Sequence, residues 1–163
     1  MRKIFLRNKR KYALVDNKDY ELLIKYNWHV SKFGYVTHST KDKFHTTIIT
    51  KMHKLIMGTK IDLLIDHING NKLDNRRSNL RFCTKRQNCM NSKIPKNNTS
   101  GYKGVHKHIH RKRIYWRARI GTNMSRLLIG SYNTPLEAAL AYDKSAIKYY
   151  GKFARLNFPT KGR

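Results

Sequence analysis

The chain has 163 residues, of which 36 are lysine or arginine and 9 are aspartate or glutamate, so its formal net charge is +27 at pH 7. The length fits one ordinary domain or two small ones, and a hydrophobic fraction of 39% excludes disorder caused by charge alone. Positive charge at this density repels itself unless a polyanion neutralises it, which predicts nucleic acid as the partner and an anionic membrane surface as the alternative.

The sequence contains no apolar run of about 18 residues of the kind that spans a bilayer. Basic residues interrupt the opening segment, MRKIFLRNKRKY, before a signal-peptide core forms. We therefore expect a soluble intracellular protein with no membrane partner. Cys83 and Cys89 form neither a disulfide framework nor a CxxC pair, so free thiols are expected.

Short segments of alternating apolar and polar residues open the chain. Strands are predicted at KIFLRN, KYALVD, GYVTHST and FHTTIIT. Asp16 or Asn17 is expected to cap one or two helical turns in DYELLIKY. Residues 51–58, KMHKLIMG, are predicted to form a short helix that ends at Gly58 and covers a small sheet.

From Ile61 onward the pattern predicts a strand, a loop, a second strand and a helix. These segments are DLLIDHING, NKLDNRRS, NLRFCT and TKRQNCMNSK. Thr84 is the predicted N-cap of the helix, and Gln87 completes a capping box. So small a unit buries little apolar surface, and we expect a bound metal and the preceding strands to stabilise it.

Four polar residues of this region could form one catalytic site. Asp66 and His67 are adjacent at the end of the first strand, Asn79 opens the second, and Asn88 lies one turn into the helix. Neighbouring strand residues point to opposite faces, but both can reach one pocket where the backbone turns at a strand end. Carboxylate and amide oxygens suit Mg²⁺ or Mn²⁺, and a neutral histidine beside them can activate water for phosphodiester hydrolysis.

Other interpretations stay open for these residues. Asp66 and His67 are also compatible with a surface turn that holds no metal. A zinc site built from His53, His67, Cys83 and Cys89 would lack the spacing of a finger or knuckle. Three arginines near the site either bind DNA phosphates or are solvated loop charges; they are Arg76, Arg77 and Arg81.

The run HKLIMG…IDHINGNKLDNRRSNLRFCTKRQN resembles the HNH homing endonucleases, over roughly residues 1–92 and most strongly over 53–88. The resemblance implies an α+β fold in which short strands precede a small ββα-metal nuclease module. It implies that His67 is the general base and that Asn79 holds the loop and orients this histidine.

The same resemblance assigns the metal ligands. Asp66 and Asn88 correspond to the ligands of one divalent ion, Mg²⁺ or Mn²⁺. Many family members have histidine where this chain has Asn88, and oxygen ligation disfavours Zn²⁺. Asp74 stands where asparagine is common, which is expected to change the loop only. His53 is expected to support the site structurally.

The polar run KIPKNNTSG marks a linker between two basic halves. The sequence has 22 basic and 7 acidic residues before Thr99, and 14 basic and 2 acidic residues from Thr99 onward. We predict a nuclease domain at 1–92, a linker at 93–100 and a second domain at 101–160.

The second domain is predicted to be an antiparallel meander followed by a helix. The strands are GYKGVHKH, IYWRARIG and RLLIGSYN. In the helix TPLEAALAYDKSAIKYYG, Thr134 is the N-cap, Pro135 the first residue, Glu137 the capping-box partner and Gly151 the end. The alanines are expected to let this helix approach the sheet, and an apolar stripe is expected from Leu136, Leu140 and Ile147.

Residues 101–159 resemble the Apetala-two or ethylene-response-factor DNA-binding domain through GYKGV, YWRARI, LIGSYNTPLEAALAYDKSAIKYYG and ARLNFP. The resemblance implies a three-stranded sheet that packs on one helix and enters the DNA major groove. Trp116 or Tyr115 would be an aromatic platform; core packing of Trp116 and a merely exposed basic sheet are the alternatives. The implied DNA contacts are Lys103, Gly104, His106, His108, Arg117, Arg119 and Arg126. Lys103 and His106 stand where plant domains have arginine, so the recognised bases do not transfer.

The combined expectation is a site-selective, metal-dependent homing endonuclease, a type associated with mobile introns, acting on double-stranded DNA. One active site per chain makes one cut, so a monomer should nick DNA, whereas a dimer could cut both strands. No protein partner is required. The main alternative is a non-catalytic DNA-binding transcriptional regulator; a basic protein of RNA or membrane surfaces would explain the charge alone.

Overall fold

The computed structural model describes residues 1–122 and 125–159. Contacts divide the chain into two compact units, Met1–Asn88 and Cys89–Arg163. The predicted boundaries at 92/93 and 100/101 stay predictions, and residue 160, the predicted end of the second domain, lies outside the described residues. Among the described helices, none is both long and apolar enough to cross a bilayer.

The first unit opens with two small antiparallel sheets, which confirms the α+β prediction. One sheet pairs β1 (Arg2–Leu6) with β2 (Lys11–Val15), and α1 (Asn17–Leu23) follows. The other has the order β3 (His29–Val30), β4 (Val36–Lys41), β5 (Thr47–Lys51), and α2 (Met52–Met57) follows it and ends at Gly58 as predicted. A common core is formed by Ile4, Leu6, Ala13, Val15, Leu23, Trp28, Val36, Met52, Ile56 and Leu80.

A third hairpin carries the Asp-His pair. In this hairpin β6 (Leu64–His67) pairs antiparallel with β7 (Leu80–Cys83), and α3 (Lys85–Met90) follows. The strand starts three residues later than Ile61, because Ile61 is 92% exposed and Asp62 has a φ of 58°, which extended strands do not use. The capping box at the start of α3 is confirmed, with Gln87 N 3.2 Å from Thr84 Oγ1.

The second unit is the predicted meander and helix. Its sheet has the order β8 (Val105–His110), β9 (Arg113–Gly121), β10 (Arg126–Tyr132), and α4 (Pro135–Tyr150) packs on it. The capping box predicted at Thr134 and Glu137 is present, with Pro135 as the first helical residue and Gly151 as the C-cap.

The buried face of α4 differs from the predicted one. Leu136, Leu140 and Ile147 are 43–49% exposed, so the apolar stripe assigned to them is wrong. The helix instead buries small residues and one tyrosine against the sheet, because alanine faces allow close approach. The buried residues of α4 are Ala138, Ala139, Tyr142, Asp143 and Ala146.

Asp143 fastens the segment that follows the helix. Its Oδ1 accepts hydrogen bonds from Asn157 N and Nδ2 at 2.9 and 3.0 Å, and its Oδ2 accepts one from Phe158 N at 2.9 Å. Asn157 Oδ1 in turn accepts from Lys103 N at 2.7 Å. These bonds explain the ARLNFP motif: it ties the chain after the helix to the start of the sheet.

Candidate active site and nucleic-acid interface

The end of β6 places Asp66 and His67 in a sheltered position. The two residues are 7% and 4% exposed, and in the hairpin register they lie opposite Arg81 and Leu80. The chain turns immediately after His67, where Gly70 N donates to His67 O at 2.8 Å. The carboxylate and the imidazole therefore start a polar loop at the strand end.

The His67 ring is held by Asn75, a residue that the sequence analysis missed. His67 Nε2 donates to Asn75 Oδ1 at 3.3 Å, and Asn75 is fully buried. Leu14 of β2 fixes the loop from both sides: its N donates to Leu73 O at 2.9 Å and its O accepts from Asn75 N at 2.8 Å. The sequence signal that could have found Asn75 is its position beside Asp74 in an asparagine-rich loop.

Asn79 stabilises the same loop from its other end. Its Nδ2 donates to Asp74 O at 2.8 Å, and its Oδ1 accepts from Asn69 N at 2.9 Å. Its own carbonyl accepts from Ile68 N at 2.9 Å. Asn79 thus closes the loop that contains Asn75, whereas His67 Nε2 donates its hydrogen bond to Asn75 Oδ1.

Arg81 holds the carboxylate of Asp66. The Nε and Nη2 atoms of Arg81 lie 3.0 and 2.7 Å from Asp66 Oδ2, and both side chains are largely buried. Such a partner offsets part of the cost of removing a carboxylate from water. In the structure Arg81 pairs with Asp66, and its predicted binding of a DNA phosphate stays a prediction.

The other two loop arginines are also ion-paired. Arg76 binds both oxygens of Asp74, at 2.8 and 2.7 Å, which lowers the pKa of this carboxyl group. Arg77 binds both oxygens of Asp19 in α1, at 2.9 and 2.8 Å, and its N donates to Asp16 Oδ2 at 2.8 Å. Asp16 occupies the N-cap position of α1 without capping it. Phosphate binding by these arginines stays a prediction.

His53 and Tyr35 surround the ring of His67. His53 lies 5.1 Å from it, centroid to centroid, with the planes at 88°, and Tyr35 lies 5.3 Å from His53 and 6.1 Å from His67. Burial, and then the neighbouring His67 and lysines, lowers the pKa of His53 to about 3. Burial also lowers the pKa of His67, and the hydrogen bond to Asn75, which raises this pKa, offsets only part of the effect. Both rings are therefore neutral at pH 7.

Asn88, the other predicted metal ligand, lies on α3 and lines a pocket that His53 also lines. Among the described residues, no three histidine, cysteine, aspartate or glutamate side chains form a group that could hold a metal ion. Cys83 is buried and Cys89 exposed, and neither belongs to such a group. A metal ion at this site would consequently depend on an asparagine oxygen in addition to Asp66.

The sheet of the second unit has one face on α4 and one basic face. Val105 lies opposite Ala118 on the buried side, so the next pair along the strands, His106 and Arg117, is on the other side. The outward face defined by this register carries five of the predicted DNA-binding residues, which are His106, His108, Arg117, Arg119 and Arg126. Tyr115 shares that face, opposite His108, whereas Trp116 packs against the core.

Charges on the outward face act on its histidines. Burial and the nearby Arg119 and Arg126 lower the pKa of His106, and burial and Arg117 lower that of His108. Arg117 Nε is buried and has no hydrogen-bond partner among the described residues. Burial first, and then the arginine charges, thus hold the pKa of both histidines below its ordinary value.

Two predicted DNA contacts lie elsewhere. Lys103 Nζ donates to the carbonyls of Met90 and Ser92, and burial lowers the pKa of Lys103 to about 8. Gly104 has a φ of 76°, and a Cβ atom added there would lie 2.0 Å from the ring of Tyr142. Both positions have a structural explanation, and their contact with DNA stays a prediction.

Known proteins are similar in sequence to both units of this chain. The model of the HNH endonuclease family matches residues 61–90, which extend from just before β6 to the end of α3. An uncharacterised HNH endonuclease of Acanthamoeba polyphaga mimivirus is 34% identical over 155 residues, covering 93% of this chain and 77% of that protein. The chain belongs to the HNH endonuclease family, which makes it a nuclease and confirms the resemblance of its first half.

The C-terminal region is similar to Apetala-two type transcription factors. An ethylene-responsive transcription factor of Arabidopsis thaliana is 49% identical over 61 residues, which are 36% of this chain and 14% of that protein. The dehydration-responsive element-binding protein 2E of the same plant is 40% identical over 85 residues, 45% of this chain and 34% of that protein. The chain spans about 14% and 34% of the length of these two plant proteins, so the similarity concerns one region of each.

Proposed function

We propose that this chain is a site-selective, divalent-metal-dependent endonuclease of the homing type that hydrolyses phosphodiester bonds in double-stranded DNA. The observation that carries the proposal is the buried, neutral ring of His67, held by Asn75 beside the carboxylate of Asp66. The described part of each chain holds one such site, which makes one cut. A monomer therefore nicks one strand, and a double-strand cut requires a second chain.

His67 is the general base. Its Nε2 hydrogen is donated to Asn75 Oδ1, so the neutral ring carries its lone pair on Nδ1. Nδ1 accepts a proton from the water that attacks the phosphorus in line with the departing 3′-oxygen. Asn75 fixes this tautomer and the plane of the ring, and Asn79 maintains the loop that positions Asn75.

The side-chain oxygens of the two predicted ligands, Asp66 and Asn88, have the chemistry that a hard divalent ion prefers. Asp66 provides an anionic oxygen from β6 and Asn88 a neutral oxygen from α3, the ligand chemistry preferred by Mg²⁺ and Mn²⁺. One such ion held by these side chains would supply Lewis-acid stabilisation of the charge on the phosphate and on the departing oxygen. The ion pair with Arg81 holds the Asp66 carboxylate in place for this purpose.

The outward face of the β8-β9-β10 sheet is proposed to bind the DNA major groove. Histidines and arginines of β8, β9 and β10 share that face, and they form a basic surface on the side of the sheet away from the buried residues that pack with α4. The similarity to plant DNA-binding factors supports this assignment. Binding through this face would make cleavage selective for sites that the sheet recognises.

A supercoiled-plasmid assay with Mg²⁺ or Mn²⁺ tests the proposal. The unmodified protein should convert supercoiled DNA to the nicked form, and His67→Ala and Asp66→Asn should each abolish nicking while retardation of DNA in a gel is nearly unchanged. His45→Asn, in the turn between β4 and β5, is the control and should nick normally. A protein that binds DNA but never cuts it with either ion would instead be a non-catalytic DNA-binding regulator.

A further inference from the structure

A pocket of about 190 Å³ in the first unit is lined by Asn88, the proposed metal ligand, and by lysines that have no role in the mechanism described so far. It lies where the end of β5 and α2 face the β6-β7 hairpin. We call it the lysine pocket; the polar residues that define it are Lys51, Lys54, Lys60, His53, Thr59 and Asn88.

The lysine pocket is suited to an anion. Three lysine side chains, each ending in an ammonium group, line it, and among the described residues that line it none is acidic. Two of these groups are held by aromatic rings: Lys51 Nζ lies 4.9 Å from the ring centre of Tyr35, and Lys60 Nζ lies 4.7 Å from that of Phe82. Cation–π contacts restrict long side chains that would otherwise spread into water, so the positive charge is concentrated at the pocket.

His53 supplies an independent indication of a ligand. The residue is 4% exposed and lines the pocket, and its Nδ1 has no hydrogen-bond partner among the described residues. A buried ring nitrogen is normally paired, because leaving it unpaired costs the hydration that it lost. We expect a phosphate bound beside His53 to supply the hydrogen-bond acceptor that this nitrogen lacks in the free protein.

We infer that the lysine pocket binds one backbone phosphate of the DNA, adjacent to the phosphate that is cleaved. The inference rests on the proposed nuclease function and extends it to substrate positioning. The rings of His53 and His67 are in contact at 5.1 Å between centroids, so a phosphate held beside His53 borders the site of the general base. Fixing that phosphate sets the register of the strand relative to His67, which reduces the entropy lost on reaching the reactive geometry.

The salt dependence of DNA binding, measured in EDTA so that no cleavage occurs, tests the inference. Each neutralised phosphate contributes about 0.9 to the slope of log affinity against log salt. The triple variant Lys51→Gln, Lys54→Gln, Lys60→Gln should therefore lose about 0.9 in slope, since its three lysines share one phosphate. A loss of about 2.7 would mean three separate phosphate contacts, and an unchanged slope would mean none; both results would overturn the inference.

A matched control distinguishes the effect of the pocket lysines on the slope from the effect of net charge. The variant Lys9→Gln, Lys18→Gln, Lys25→Gln removes the same charge from exposed positions of the same unit that lie outside the pocket. Its slope should stay closer to that of the unmodified protein. An equal loss in both triple variants would show that only net charge matters. Thermal unfolding of each variant checks that the unit remains folded.

His53 provides a second readout. Asparagine can place an N–H close to the position of histidine Nδ1, whereas leucine cannot. In EDTA, His53→Asn should keep the DNA affinity within about threefold, and His53→Leu should weaken it about tenfold, as the loss of one hydrogen bond predicts. Equal affinity of both variants would show that Nδ1 does not contact the DNA.

Inorganic phosphate tests whether the pocket binds a free phosphate ion instead of a phosphate of the DNA backbone. If phosphate shifts the NMR signals of His53 while the DNA slope of the lysine variant is unchanged, the pocket binds a free phosphate and the inference fails. The plasmid assay keeps the two proposals distinguishable. If the lysine variant shows the expected loss of slope but the unmodified protein does not cut DNA, the pocket inference stands and the nuclease proposal fails. If the unmodified protein cuts DNA but the lysine variant has an unchanged slope, the nuclease proposal stands and the pocket inference fails.

Discussion

His67 Nε2 and Asn75 Oδ1 are 3.3 Å apart between two side chains that are at most 4% exposed. Asn75 belongs to the loop after β6, but its backbone is bonded to Leu14 in β2. The N-terminal hairpin therefore takes part in orienting the histidine that we propose as the general base. Two strands that are far apart in the sequence, β2 and β6, thus act together on the orientation of the His67 ring.

Replacing Asn75 by alanine should slow nicking by about 10- to 100-fold, the loss common for outer-shell partners of site histidines. The ring loses its fixed tautomer and orientation while the groups that bind DNA are unchanged. Steady-state kinetics should show the loss in kcat with a nearly constant KM. Asn75→Asp keeps a hydrogen-bond acceptor and adds a negative charge that raises the pKa of His67. Compared with Asn75→Ala, it should restore part of the rate, and it should move the acid limb of the pH–rate profile to higher pH.

The matched control is Asn71→Ala. Asn71 lies in the same loop and its Oδ1 accepts from Leu73 N at 3.1 Å, without a hydrogen bond to His67. It should reduce kcat much less than Asn75→Ala. Equal losses would indicate that Asn75 matters only for the integrity of the loop.

Arg77 is expected to stabilise the fold rather than to bind DNA. Its two bonds to Asp19 involve a carboxylate that is only 7% exposed, so Arg77→Met should destabilise the first unit by about 1.5–3 kcal/mol in chemical denaturation. In a double-mutant cycle with Asp19→Asn, the second change should cost less than it does alone. A large drop in the salt slope of DNA binding, without loss of stability, would support the phosphate role instead.

The local elements of this fold could be predicted because their signals are local. Thr84 with Gln87, and Thr134 with Glu137, mark helix starts through side chains three residues apart, and both capping boxes are present. The buried face of α4 could not be read in the same way. Leu136 and Leu140 are the more apolar residues, but which face a helix buries is decided by the shape of the sheet that it meets.

The residue types of the candidate site could be predicted from the sequence, but the hydrogen bonds and ion pairs that hold them could not. Adjacent Asp66 and His67 are visible in the sequence, whereas the bonds from Arg81 to Asp66 and from Asn75 to Leu14 depend on tertiary pairing. The same holds for Arg77, whose carboxylate partner lies 58 residues away. Loop arginines in a basic chain therefore carry little information about DNA binding until their partners are known.

Gly104→Ala should unfold or strongly destabilise the second unit. The added methyl group would overlap the ring of Tyr142 and occupy a backbone position with a φ of 76°. We expect a loss of about 2–5 kcal/mol, combining about 1–2 for the left-handed backbone with about 1–3 for overpacking. Gly101→Ala is the control, since its φ is also 76° and nothing lies within 4 Å of the added atom. Similar costs at both positions, measured by thermal unfolding, would contradict the close contact with Tyr142.

DNA affinity of the outward sheet face should rise as the pH falls below about 6.5, the ordinary pKa of histidine. Burial and neighbouring arginines lower the pKa of His106 and His108 in the free protein, so both rings are neutral at pH 7. DNA phosphates would offset the arginine charges and raise these pKa values, so that binding takes up protons and tightens as the pH decreases. Fluorescence titrations between pH 8 and 5.5 in EDTA should show this trend for the unmodified protein and a weaker one for His106→Gln, His108→Gln. An affinity that is independent of pH in both proteins would exclude these histidines from the DNA contact.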